Sequence, residues 1–137
     1  MMTPLVPLVA EIVSADKVTN DISAINIVDT IQSQGFPVIF RRLTFLTTLR
    51  RDMSDASLVD VQLTVTLDGQ ELAKAVHVLN FEQGDIAKDI ARIEGFVIPK
   101  AGLLKFVLST IGGAPITQYS TPVSLVAQPT VAPTPTI

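Results

Sequence analysis

The chain has 137 residues, a formal net charge of −3, 47% hydrophobic and 17% charged residues, and no cysteine. That length suits one domain with a buried core, and the missing cysteine excludes thiolate catalysis, zinc-thiolate sites and disulfides. One tyrosine, no tryptophan and an acidic balance argue against nucleic-acid binding, which needs a basic face and stacking aromatics.

Charged residues make up about 25% of an ordinary soluble chain, so this one is apolar for its size. It contains no uninterrupted apolar run of about 18 residues, and so no predicted membrane span. The opening segment Met1–Ala10 lacks a basic start and is broken by Pro4 and Pro7, which argues against a signal peptide. The expected location is therefore cytoplasmic or within a virion. The excess apolarity has two readings: a β core rich in Val, Ile, Leu and Thr, or a surface covered by another chain.

Leu8 to Val18 reads as a first strand. Ile22 to Ile31 reads as a second, with Ile25, Ile27 and Ile31 on one side and Asp29, unexplained, on the same side. Gln32 to Pro37 is a turn. Val38 to Arg51 is a long strand whose more apolar set, Ile39, Arg41, Leu43, Phe45, Thr47 and Leu49, is expected to face the core. The pairs Arg41-Arg42 and Arg50-Arg51 should each split one arginine outward and one inward, because adjacent strand residues point to opposite faces. Strand-end salt bridging is their ordinary use.

Leu58 to Leu67 alternates Val61, Leu63, Val65 and Leu67 with Asp60, Gln62, Thr64 and Thr66, the period-2 mark of a half-buried strand. Asp68-Gly69 is a favoured two-residue hairpin turn, and Gln70 to Leu79 forms the returning arm. A tight turn there sets Val65 against Leu72 and Val61 against Val76, all on one buried face, with His77 opposite Asp60 on the solvent side. From Gln83 to Gly95 the pattern changes. Ile86, Ile90 and Ile93 recur at helical spacing, with Asp85 as N-cap and Gly95 as stop, so a short helix is predicted near residues 85–94. The competing reading is an irregular lead-in to a strand at Ile93–Ile98.

Strand character resumes at Phe96–Ile98, followed by the turn Pro99-Lys-Ala-Gly102, a strand Leu103–Thr110, a glycine-containing turn and a closing strand Pro115–Val126. Residues 128–137, Gln-Pro-Thr-Val-Ala-Pro-Thr-Pro-Thr-Ile, form a Pro/Thr-rich extended tail whose prolines cannot supply ladder donors. The expected fold is all-β, an antiparallel β-sandwich of about eight strands with that one short helix. Residues 1–127 would form the single domain and 128–137 the tail. The order of Pro-x-x-Gly, apolar strand, glycine turn and closing strand, with the Asp-Gly hairpin, resembles immunoglobulin-like and C2-like sandwiches. It is also similar to small bacterial and phage β-sandwich families of unknown function. This is a fold-level pattern that transfers no active residue.

The inventory for chemistry is thin. His77 is the single histidine, and a cross-strand polar pair with Asp60 explains it without a triad, for which no positioned nucleophile is visible. No phosphate-loop, dinucleotide, nucleophile-elbow or zinc-protease motif occurs. The acidic turns hold Asp16 and Asp21, Asp52 and Asp55, and Glu82, Asp85 and Asp89. If strands alternate direction these turns share one end of the fold, where calcium-binding sandwiches gather their oxygen ligands. Aspartate also suits turns for its local hydrogen bonding. No catalytic, cofactor-binding or metal residue is assigned. The expected function is a non-enzymatic structural or assembly subunit, packing with copies of itself or into a larger particle such as a phage virion. Its partners would be proteins, with no nucleic acid and no membrane. The alternative is a calcium-dependent or carbohydrate-binding module.

Overall fold

A computed structural model describes residues 2–5, 7–15, 22–52, 56–82 and 84–127. Alternating apolar and polar residues there build strands throughout: β1 Thr3–Pro4, β2 Leu8–Ala15, β3 Ile22–Ile27, β4 Ile31–Ser33, β5 Val38–Arg50, β6 Leu58–Leu67, β7 Gln70–Asn80, β8 Ile86–Ile98, β9 Gly102–Thr110 and β10 Pro115–Leu125. They form two five-stranded sheets. In the first, β5 is flanked on one edge by β8 and on the other by β2 and β1, with β3 beyond β2. The second has the order β4-β10-β9-β6-β7. The β4–β10 pair is parallel, and the other pairs are antiparallel.

The sheets meet over one core. Val61, Leu63, Val65 and Leu67 of β6 and Leu104, Phe106 and Leu108 of β9 join Leu43, Phe45 and Leu49 of β5 and Phe96 and Ile98 of β8. The rings of Phe45 and Phe106 stack across the sheets with centroids 6.2 Å apart. Each such fully buried side chain contributes about 1.5–3 kcal/mol through removal from water. A second, smaller cluster of Ala10, Val13 and Leu46, packed by Leu8, Ala24 and Ile90, lies apart from that core. Leu8, Leu46 and Ile90 stand side by side across β2, β5 and β8.

Five expectations need correction, the first being the antiparallel set of about eight strands: the described residues form ten, because the second predicted strand divides and a short strand precedes the first, and one pair is parallel. The predicted helix near 85–94 is strand β8, paired with β5 from Arg50↔Ile86 to Val38↔Ile98. The isoleucines suggested a helical face, but the core-facing residues are Ala87, Asp89 and Ala91 at period 2, and Ile86 is half exposed. A continuous ladder along β5 overrides the local pattern.

The Asp68-Gly69 hairpin forms, with Asp68 at φ 48° and Gly69 at φ 85°, but its register shifts. Val65 pairs with Ala73 while Thr66 pairs with Glu71, so Leu72 is an extra residue on β7 and both Leu72 and Ala73 pack on the core. Beyond this bulge the faces invert. Val61 sits opposite His77, not Val76, and Val76 is 60% exposed.

The predicted second strand, Ile22–Ile31, divides into β3 and β4, which belong to different sheets. Asp29 falls on the bend between them and is exposed, which removes the difficulty it posed as a strand residue.

The last correction concerns β5. Leu43, Phe45 and Leu49 face the core as expected, yet Ile39 is 66% exposed while Val38 and Phe40 pack inward. The strand changes face at Arg41-Arg42, and β8 does so opposite them, where Gly95 adopts φ 62°. Both arginines of that pair are therefore exposed. The Arg50-Arg51 pair does split, with Arg51 half-buried and its guanidinium 5.6 Å from the Phe81 ring centroid.

Candidate functional site

Two places in the fold depart from what a plain two-sheet core requires. The first lies between β7 and β8, the outermost strands on one side of the two sheets. The bulge at Leu72 turns His77 inward, and the ladder along β5 turns Asp89 inward opposite Thr47. His77 Nε2 and Asp89 Oδ1 are in contact across the sheets, without hydrogen-bond alignment. The Asp89 side chain is 2% exposed and that of His77 25%. Asp89 Oδ2 and Thr47 Oγ1 are buried without a hydrogen-bond partner. The cross-strand partner expected for His77, Asp60, instead sits opposite Val78 on the exposed face.

Chemically, the pair has two of the three residue types of a triad. No hydroxyl is placed on it as a nucleophile by any hydrogen bond among the described residues. What the arrangement does is join two sheet edges and set an inward ionisable side chain on each. Inward-pointing charge is one way proteins keep edge strands from recruiting further strands.

The second place is an opening within the first sheet. Thr44, Phe45 and Leu46 pair with β8 on one edge and with β2 on the other. From Ala10 onward β2 pairs with β3, and among the described residues β5 from 38 to 43 pairs with β8 alone. A hollow of about 470 Å³ opens there, lined by Glu11, Ile12, Ile39, Phe40, Arg41 and Arg42. A smaller one of about 280 Å³ shares Glu11 and Phe40 and continues toward Asn26, Ile27 and Ile31. Arg42 reaches Glu94 at 3.9 Å, and Asn26 Nδ2 donates to Glu11 Oε2 at 3.0 Å. Ile39 registers with Val97 of β8. The result is a hollow lined by apolar Ile12, Ile39 and Phe40 together with charged Glu11, Arg41 and Arg42, beside a strand edge that is unpaired among the described residues.

The acidic turns come together only in part. The Arg51 amide donates to the Asp85 carbonyl at 2.8 Å, which brings the segment after β5 beside the turn before β8. Asp52, Glu82 and Asp85 are exposed in these segments. Asp89 is not in a turn but buried in mid-strand. Asp16, Asp21 and Asp55 lie outside the described residues, as do residues 128–137. Among the described residues no group of three or more His, Cys, Asp or Glu side chains is placed to hold a metal. Tyr119 donates its hydroxyl to the Val28 carbonyl at 2.8 Å, and burial, with Asp29 nearby, pushes its pKa up. No described helix is long and apolar enough to cross a membrane.

Fold and site together define an all-β protein of two facing sheets, one of which has an open strand edge among the described residues. The chain belongs to DUF6941, a family of unknown function whose pattern matches residues 6–124. No curated protein matches it. The family description names no immunoglobulin-like fold and no phage.

Sequence reasoning missed both places. The His77–Asp89 contact joins strands of different sheets, and local periodicity is silent about such neighbours. One signal was available for the opening: the apolar run Val38-Ile39-Phe40 breaks period 2 immediately before Arg41-Arg42.

Proposed function

We propose that this protein is a non-enzymatic assembly subunit that packs with copies of itself or into a larger particle. The carrying observation is the apolar surface around the opening. Ile39 is 66% exposed, Ile27 58%, Val97 45% and Ile12 41%. Ile39 registers with Val97 and lines one hollow with Ile12, while Ile27 lines the adjoining hollow. Exposed apolar side chains are ordinary when scattered, and a contiguous group of them marks an interaction surface. An interface of standard size covers about 800 Å² per partner, more than these four side chains supply, so the strands around them would take part.

Light scattering behind size-exclusion chromatography tests this. Wild-type mass should rise with concentration, and Ile39→Lys should lower it without moving the melting temperature, because the side chain already faces solvent. A wild-type protein that stays monomeric at every concentration overturns the proposal. For the alternative, a calcium-dependent module, the Arg51 amide on the Asp85 carbonyl brings two of the acidic segments together, though among the described residues they form no metal-holding group. Millimolar Ca²⁺ should raise the melting temperature if that end binds it, because a ligand of the native state stabilises that state. No shift removes this second reading.

A further inference from the structure

We propose that residues 128–137 of one copy add as a strand to the open edge of β5, residues 38–43, in a second copy. This rests on the assembly reading and names the surface and segment through which it works.

The segment has the pattern of a strand that pairs on one edge. Its prolines are Pro129, Pro133 and Pro135, all at odd positions. In an extended strand, residues of one parity direct their N–H groups to the same edge, so one edge loses these donors. Gln128, Thr130, Ala132, Thr134 and Thr136 keep theirs on the other edge. Proline is tolerated in sheets where its missing donor faces away from the ladder. Gln128, Ala132 and Thr134 also precede prolines, which biases them toward extended backbone. Side chains follow the same parity. Pro129, Val131, Pro133, Pro135 and Ile137 form one apolar face, and Gln, Thr, Ala, Thr and Thr form the other.

The opening supplies what such a strand needs. Its β5 edge, unpaired among the described residues, offers backbone donors and acceptors, and Ile12, Ile39 and Phe40 line the hollow beside that edge. Backbone pairing with pockets for alternate side chains is a recurrent way to hold extended segments.

The exit point of the chain indicates a neighbour's edge in preference to its own. The Val126 amide donates to the Ser33 carbonyl at 2.8 Å, close in sequence to the start of β5 at Val38. Strand β10 runs antiparallel to β9 and β8 antiparallel to β5, with β8 and β9 joined by the short turn at Pro99–Ala101. The chain therefore leaves the fold heading opposite to β5, and pairing with its own edge would require an immediate reversal. Continuing outward, ten extended residues span about 33 Å, enough to reach an adjacent copy.

The test compares the full chain, a chain ending at residue 127, Ala132→Pro and Val131→Pro by light scattering and thermal melting. A synthetic peptide of residues 128–137 is also titrated onto the truncated chain by fluorescence anisotropy. The full chain should associate. Truncation and Ala132→Pro should each weaken association roughly tenfold or more, because each removes donors from the pairing edge. Val131→Pro, which adds a proline at an odd position, should leave association within about twofold by the same reasoning. The peptide should bind the truncated chain, and Ile39→Lys should abolish that binding. Association unchanged by truncation overturns this inference while leaving the assembly reading in place. Equal loss in the two proline variants overturns it as well, since pairing through one edge requires a difference. A truncated chain that melts well below the full chain at a concentration where both are monomeric overturns it by placing the segment in its own fold. A full chain that never associates overturns both.

Discussion

Replacing His77 by alanine removes the imidazole contact of an Asp89 side chain that is 2% exposed and whose second oxygen is already without a partner. Taking away the partner of a buried carboxylate costs about 3–5 kcal/mol where its charge is left uncompensated. His77 is 25% exposed, so water can follow into the vacated space. The expected cost is therefore at the low end, about 3 kcal/mol, or roughly a hundredfold in the unfolding equilibrium. Removal from the other side should behave differently. Asp89→Val takes the buried charge away and puts a β-branched residue on a strand. Apolar replacement of a buried pair is often neutral or stabilising, so the change should stay within about 1 kcal/mol. The double variant should resemble Asp89→Val, giving a coupling of about 2–3 kcal/mol. Urea unfolding at pH 7, with the slope unchanged between variants, measures all three. If His77→Ala costs under 1 kcal/mol while Asp89→Val costs over 3, the carboxylate is held by something other than His77. The account of the two edges would then be wrong.

At the hairpin, Gly69→Val should destabilise by about 1–2 kcal/mol, since φ 85° is a conformation a β-branched residue resists; an unchanged urea midpoint would refute the turn assignment. Gly102 is also constrained, because a Cβ built there would lie 2.5 Å from Asp68 Oδ2, and the Asp68 carboxylate accepts the Leu103 amide at 2.9 Å. Gly102→Ala should therefore lose stability at both sites, read from the same titration. Tyr119 supplies a pH dependence. Its pKa is raised in the fold by burial and then by Asp29, so its contribution is fully present below the unfolded value near pH 10 and is lost as pH rises through the folded value. Tyr119→Phe should flatten stability across that alkaline range, and lose about 1 kcal/mol at neutral pH with the bond to the Val28 carbonyl. An alkaline profile identical to wild type would refute the assignment.

The strands that were legible in sequence are those whose alternation is set by burial on one face. Strand β6 is the clearest case, with its inward Val61, Leu63, Val65 and Leu67 all buried, and the Asp-Gly turn follows it as expected. What escaped was each change of phase. The bulge at Leu72 inverts β7, and nothing in Leu-Ala-Lys-Ala-Val distinguishes an extra residue from a regular one. The face switch at Arg41-Arg42 needs a matching one in β8, supplied by Gly95 at φ 62°. A glycine that ends a helix and a glycine that kinks a strand look alike in sequence, which is why residues 85–94 read as helical. The sheet change between Val28 and Ile31 was marked by Asp29, visible as an anomaly but without a physical reason until two sheets were present. The site was less legible than the fold, because His77 meets Asp89 through packing between sheets and the opening arises from the divergence of two strands.

The handling of strand edges links these features. On β7 and β8 the inward residues include His77 and Asp89, and Lys74, Lys88 and Arg92 lie exposed along the same strands. At the opposite sides, β4 is confined to Ile31–Ser33 and β3 carries Asn26 at φ 57°. Short strands, irregular backbone, lysine and inward charge are the known means of making an edge unreceptive. Along the opening, β5 has an irregularity and charge only at Arg41-Arg42, and residues 38–40 before them carry neither. Its residues 38–40 are Val, Ile and Phe, and Ile39 is the most exposed of the large apolar side chains. An edge left receptive in a fold that blocks its others is a place to expect a specific strand. The parity of the prolines in residues 128–137 would let such a strand in through one edge while presenting a donor-poor edge outward. On that arrangement association closes once each open edge is filled, because the outer side of the added strand offers few donors to the next. Ala132→Pro and Val131→Pro separate the two edges, so they test the closing of the assembly as well as its formation.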